Sequence, residues 1–245
     1  AINKSKNPVI VRVDAHAELQ RNYISLAIDV MKSSGAVNVG GIMGAEGNTF
    51  FEKTVAAAMR SSLGVGASRF HTGGEAGYVD TVYLGTFLRS AVIAIGGFDE
   101  RFIRAQDWEL NYRLRQAGGK IFFDPRLHVT YRPRSSVKAL AKQYFEYGRW
   151  RRVVSRRHQG TINYRYLAPP FALIGTALSI VLALMINQIF IIPAAIYGIF
   201  LILASLITGK GIIEKFLLPI VLFTMQMSWG LGFLTSPKTL APSKG

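Results

Sequence analysis

From Tyr166 through Gly209 the chain carries no Asp, Glu, Lys or Arg. A bilayer core of about 30 Å needs about 20 apolar helical residues, so this run is long enough to cross twice. It divides at Asn187-Gln188, which predicts spans over 168–187 and 189–208. A third apolar segment predicts a span over 214–234, with its Gly-rich "SWGLGF" also compatible with a re-entrant or interfacial helix. Pro193 and Pro219 fall near segment starts, where a lost backbone N–H matters least.

The flanking charge sets an expected orientation. Residues 132–165 hold ten Lys or Arg (132, 134, 138, 142, 149, 151, 152, 156, 157 and 165) against one acid, Glu146. By the positive-inside rule the first span then enters from the cytoplasm. Lys210 and Lys215 fall on the same side, whereas Lys238 and Lys244 fall outside. The whole chain has 29 basic and 14 acidic residues, a formal net charge of +15. Its bases concentrate beside the spans and no nucleic-acid motif accompanies them, so the charge points to anionic lipid or phosphate ligands. With no cysteine, disulfides and thiolate metal sites are excluded.

Residues 1–131 read as a mixed α/β domain, 132–167 as a basic, aromatic juxtamembrane segment, 168–236 as membrane helices and 237–245 as a tail. "VIVRV" predicts a short strand, residues 25–33 a helix, and "VNVGGIMGA" a strand followed by a glycine turn. Residues 49–62 predict a helix, and "RSAVIAIGG" a short helix or strand closed by Gly96-Gly97. Residues 106–117 predict the clearest helix, with Leu110, Leu114 and Ala117 on one face and Gly118-Gly119 as the stop. "KIFFD" and "HVTY" predict two short strands around Pro125.

Three stretches could carry chemistry. The first strand ends at Asp14-Ala15-His16, a carboxylate and an imidazole that suit Mg²⁺ or Mn²⁺ with a diphosphate completing the shell. The bland alternative is a turn, or an N-cap for a helix over 17–26. In "GGFDERFIRAQDWELNYRLRQAGGK", Asp107 stands at a helix start, where the dipole favours a fixed, ionised carboxylate suited to a general base or to an N-cap. Glu109 reads as a surface or salt-bridge residue. In "KQYFEYGRWRR", Arg149 and Arg151 could clamp a diphosphate if the segment is a loop, or the bases could snorkel to lipid headgroups. His128 reads as a core histidine, or as a third metal ligand beside Asp14 and His16.

The order of these pieces resembles a family 2 glycosyltransferase of the GT-A fold, most closely the succinoglycan-biosynthesis type of membrane enzyme. The quoted residues are a strand ending in D-A-H, then G-G-F-D-E, then "QDWELNYRLRQAGGKI", then "QYFEYGRWR", then spans. The resemblance implies a Rossmann-like GT-A domain, in its C-terminal part, followed by about three transmembrane helices. It implies a divalent cation and leaving diphosphate at Asp14 and His16, and the catalytic base at Asp107. Gln106 precedes Asp107 where many relatives carry an acid. Asp80 falls in the region facing the donor and acceptor sugars. Gln143, Arg149 and Trp150 stand near the Q-x-x-R-W motif of processive synthases, but the spacing is too long, which favours addition of one sugar per event.

What the resemblance implies overall is an inverting glycosyltransferase of cell-surface or exopolysaccharide biosynthesis, multi-pass in the inner or plasma membrane with its catalytic part cytoplasmic. The donor would be a nucleotide-sugar, and the acceptor a polyprenyl-diphosphate-linked or other glycan at the lipid surface. In GT-A domains the D-x-D strand lies well inside the domain, yet only eight residues precede Val9. The nucleotide-binding half is therefore expected upstream or on another chain. A non-catalytic membrane subunit, or one half of a split enzyme, is the competing expectation.

Overall fold

The structure is a computed structural model and describes residues 2–15 and 17–240. In chain order its strands and helices are β1 (Val9–Val11), β2 (Ala17–Leu19), α1 (Tyr23–Ser34), β3 (Asn38–Ala45), α2 (Phe50–Met59), α3 (Ser62–Val65), α4 (Arg69–Thr72), β4 (Gly77–Tyr78), β5 (Tyr83–Leu88), α5 (Arg89–Ala94), α6 (Gln106–Gln116), β6 (Ile121–Tyr131), α7 (Val137–Arg157), α8 (Tyr164–Met185), α9 (Ile192–Thr208) and α10 (Ile212–Thr235). Two compact units result. One is Ala1–Glu46 with Ala67–Arg132, the other Gly47–Gly66 with Pro133–Gly245. The sequence reading placed 47–66 with the first domain and set no boundary at Gly47.

The first unit is built on a six-stranded mixed sheet of order β1-β5-β3-β6-β2, with β4 paired to β6. β3 and β6 run parallel and the other pairs antiparallel. The "VNVGGIMGA" segment is one continuous strand, not a strand and a turn, because its glycines serve close approach. A Cβ on Gly41 would sit 1.7 Å from the Leu127 carbonyl oxygen, and one on Gly44 would sit 2.2 Å from the His128 ring. β6 is likewise one strand through Pro125. Its pairing to β3 jumps from Gly40↔Phe123 to Ile42↔His128, so the proline falls in the irregularity, where no ladder N–H is asked of it.

Helix α1 turns Tyr23, Ala27, Val30 and Met31 onto Val39, Leu84, Leu127 and Val129 of the sheet. The 23-27-30-31 spacing is the helical apolar stripe. Helix α6 contributes Leu110 and Leu114 to a second cluster with Phe87 and Val92. Burial of each such leucine contributes about 2 kcal/mol, which anchors α6 and everything at its N-terminus.

The second unit is helical. α8, the segment Gln188–Thr208 and α10 are each long and apolar enough to cross a membrane, α10 included, over its full 24 residues. Pro193 sits in the first turn of α9, whereas Pro219 lies inside α10, and α8 accepts Pro169 and Pro170. α10 is the most enclosed span, with 44% of its apolar window buried against 11% and 17% for the others. It earns that position through glycine. Cβ atoms on Gly148 of α7 and Gly232 of α10 would each lie 2.0 Å from the facing helix's carbonyl oxygen, at Trp229 and Phe145. Small residues at these crossings let the backbones touch. α2 opens on a capping box between Thr49 and Glu52 and packs its alanine-rich face on α10.

Candidate active site

Asp14 does not cap a helix. The next residues form strand β2, and the Asp14 carbonyl accepts a hydrogen bond from the Ala17 N–H at 3.0 Å, so the acid stands in the turn between β1 and β2. His16 lies outside the described residues. Arg12 fixes the Asp14 carboxylate, donating from Nε at 3.2 Å and from Nη2 at 3.1 Å to Oδ1.

Asp107 is the second residue of α6 rather than its N-cap. The cap is Ala105, at φ +59°, and makes no side-chain bond. A left-handed alanine costs about 1 kcal/mol, so the chain is turned sharply to bring Gln106 and Asp107 into place. Gln106 donates its Nε2 to the Ile103 carbonyl at 3.0 Å and closes that turn. Asp107 forms an ion pair with Nη1 of Arg12. One guanidinium thus joins the two acids that lie farthest apart in the sequence reading.

The rest of α6 holds this arrangement. Glu109 is buried rather than on the surface, and receives a two-pronged bond from Arg113, both contacts at 2.7 Å. Arg113 also donates to the carbonyls of Ile95 and Gly97 at 2.8 Å. Gly96 and Gly97 have φ of +82° and +75°, so the loop needs glycine there. Asn111 accepts from Asn38 at 2.7 Å and donates to Thr81 at 2.8 Å, locking α6 to β3. Beside them, Arg101 bonds Asp99 through Nε and Nη2, each at 2.8 Å, and these side-chain bonds hold the Asp99 carboxyl below its ordinary value against the opposing effect of burial. Asp80 is well exposed and pairs with Arg115 of α6 at 3.0 Å.

His128 packs its ring against Gly44 in the β3–β6 pair. Among the described residues no three His, Asp or Glu side chains converge on one point. A Mg²⁺ bound mainly by phosphate oxygens needs only one or two protein carboxylates. Asp14, partly exposed at a strand end, fits that smaller demand.

In the second unit the "KQYFEYGRWRR" segment is a helix, not a loop. Residues two apart on a helix do not face one another, so Arg149 and Arg151 do not share a site. Arg149 pairs with Glu146 at 2.9 Å. Arg151 is buried, donates to the Thr161 carbonyl and lies 3.9 Å from the Tyr166 ring centroid. Desolvation lowers its pKa from the ordinary arginine value. Gln143 donates to the Tyr147 hydroxyl at 2.7 Å, and Trp150 is buried. Arg156 bonds the carbonyls of Ser236 and Pro237 beyond α10. Much of the basic collar therefore secures helices, while Lys138 and Lys142 are exposed.

The residue that sequence reasoning missed is Arg12. Its signal was present: Arg12 and Asp14 are two apart at a strand end, which puts both side chains on one side.

A mixed sheet flanked by helices, with acids gathered at a strand end and at a helix start, and three long apolar helices fit an α/β glycosyltransferase domain followed by transmembrane helices. Known proteins agree. Over 231 residues, 91% of this chain and 68% of the relative, the chain is 29% identical to the succinoglycan biosynthesis protein ExoA of Rhizobium meliloti (strain 1021). Over 136 residues, 56% of this chain and 40% of the relative, it is 32% identical to a dolichyl N-acetyl-alpha-D-glucosaminyl phosphate 3-beta-D-2,3-diacetamido-2,3-dideoxy-beta-D-glucuronosyltransferase of Methanococcus voltae. No family model matches the chain. The chain is thus similar to glycosyltransferases of exopolysaccharide and lipid-linked glycan synthesis.

Proposed function

We propose that the chain is the membrane-anchored, acceptor-side part of an inverting glycosyltransferase acting in exopolysaccharide or lipid-linked glycan synthesis. The donor is a nucleotide-sugar and the acceptor a polyprenyl-diphosphate-linked or other glycan, extended by one sugar per event. Asp107 takes the proton from the acceptor hydroxyl as that oxygen attacks the anomeric carbon. Asp14, with His16, holds the diphosphate side of the reaction. A divalent cation, when bound there, supplies charge neutralisation to the leaving nucleoside diphosphate. Asp80 belongs to the sugar-facing rim.

The observation that carries this reading is the shared guanidinium of Arg12, which draws Asp14 and Asp107 to one place although they come from a strand end and a distant helix. For in-line displacement a general base and a leaving-group site must both reach one anomeric carbon, on opposite faces of it. The basic run before α8 favours entry of the first span from the cytoplasmic face of the inner or plasma membrane, with the catalytic unit on that face.

The test is Asp107→Asn in the full-length protein. Sugar transfer should fall by at least about 10³-fold, as loss of an essential general base does, with donor binding retained. Turnover near the wild-type rate would sink the assignment.

A further inference from the structure

Arg12 spends its whole guanidinium on the two acids. Nε and Nη2 take Asp14, Nη1 takes Asp107, and Cζ lies 5.8 Å from the Phe98 ring centroid. The three side chains keep only 26–29% of their exposure, so water screens these charges less than it would at the surface. A rigid planar fork fixes the relative geometry of two carboxylates, which the rotatable donors of an ammonium do not.

We infer that Arg12 is a positioning residue that sets the separation of Asp14 and Asp107 before any ligand arrives, and that it competes with divalent cations for the Asp14 carboxylate. The inference rests on the roles proposed above for those two acids. Two carboxylates and one guanidinium carry a single net negative charge. Without Arg12 they carry two, and a divalent cation gains a stronger site. The strand end is thus held with a cation of its own until a diphosphate brings enough charge to share.

Two measurements test this. The first uses Mn²⁺ alone, with no nucleotide, titrated into the detergent-solubilised full chain and followed by the paramagnetic resonance of free Mn²⁺. Arg12→Met should bind Mn²⁺ about tenfold more tightly than the wild type, or more, as expected for one added close charge. Adding Asp14→Asn should remove the gain. Equal affinity in wild type and Arg12→Met overturns the inference.

The second measurement separates kcat from KM in the full-length protein. Arg12→Lys keeps the charge and loses the fork. It should lower kcat by about 10- to 100-fold with the donor KM within about threefold. Arg12→Met placed on Asp107→Asn should cost less than the product of the two single losses, since part of its effect runs through the Asp107 carboxylate. An unchanged kcat in Arg12→Lys, or losses that multiply in the double variant, overturns the positioning role. If the wild type itself forms no glycosidic bond, the proposed function fails, while the Mn²⁺ titration still decides for or against Arg12.

Discussion

Glu109→Gln is the change that most directly probes how α6 is held. Glu109 keeps 3% of its side-chain exposure and Arg113 keeps 24%. The wild-type pair has two bonds of 2.7 Å, and Arg113 uses its remaining donors on the Ile95 and Gly97 carbonyls. Glutamine preserves shape but turns one acceptor into a donor facing a donor, and leaves the arginine charge uncompensated. Breaking a fully buried pair from one side costs about 3–5 kcal/mol. Arg113 is not fully buried and retains its carbonyl bonds, so about 2–3 kcal/mol is the fitting figure here. A single unfolding free energy is ill-defined for a chain of two units, and hydrogen exchange of the α6 amides is the better readout. The Leu110 and Leu114 amides should exchange about 30- to 150-fold faster, while the α1 amides stay unchanged. Glu109→Gln with Arg113→Met should be milder than the sum of the single changes, because the orphaned charge goes too. Exchange in α6 within threefold of wild type would refute the reasoning.

Two further outcomes follow from the same unit. Gly44→Ala drives a Cβ to 2.2 Å from the His128 ring and should cost about 1–3 kcal/mol as an overpacked site does. His128→Ala in the same chain should recover most of that loss, read by hydrogen exchange of the β3 amides, and no recovery would show that the glycine serves the backbone instead. His71 is a pH-sensitive group: burial depresses its pKa from 6.5 to about 4, and its Nδ1 has no hydrogen-bond partner among the described residues. The folded state prefers neutral His71, so its contribution is intact above about pH 6.5 and lost as pH falls toward about 4, by at most about 3 kcal/mol. His71→Phe should flatten the melting temperature between those values, and an unchanged acid slope would assign it to other groups.

How much of this was legible beforehand depends on the physics each feature uses. The spans were readable because a bilayer demands a long uncharged run, and nothing local can imitate one from Tyr166 to Gly209. Helix α6 was readable because Leu110 and Leu114 repeat at helical spacing before a glycine stop. The glycines of β3 misled because the usual inference from Gly-Gly is a turn. Their reason is tertiary: the β6 backbone and the His128 ring occupy the space a Cβ would need, and that neighbour is some eighty residues away. The arginines of α7 are hard to read for a related reason. Composition shows a cation but not what has already claimed it, and Arg149 and Arg151 are engaged by Glu146, Thr161 and Tyr166 within their own unit.

The same logic explains the site. Asp14 and Asp107 could each be picked out as acids at element ends, but an acid at an element end is ordinary, and neither position by itself argues for chemistry. What distinguishes them is a third residue of opposite sign. Arg12 lies beside Asp14 in sequence and reaches Asp107 only through the fold, because β1 pairs with β5 at the sheet edge and the left-handed turn at Ala105 aims the start of α6. A pairwise reading of sequence sees the Arg12–Asp14 spacing and stops there. The sheet order and one strained alanine convert it into a three-membered cluster, and the cluster makes the two carboxylates candidates for one reaction.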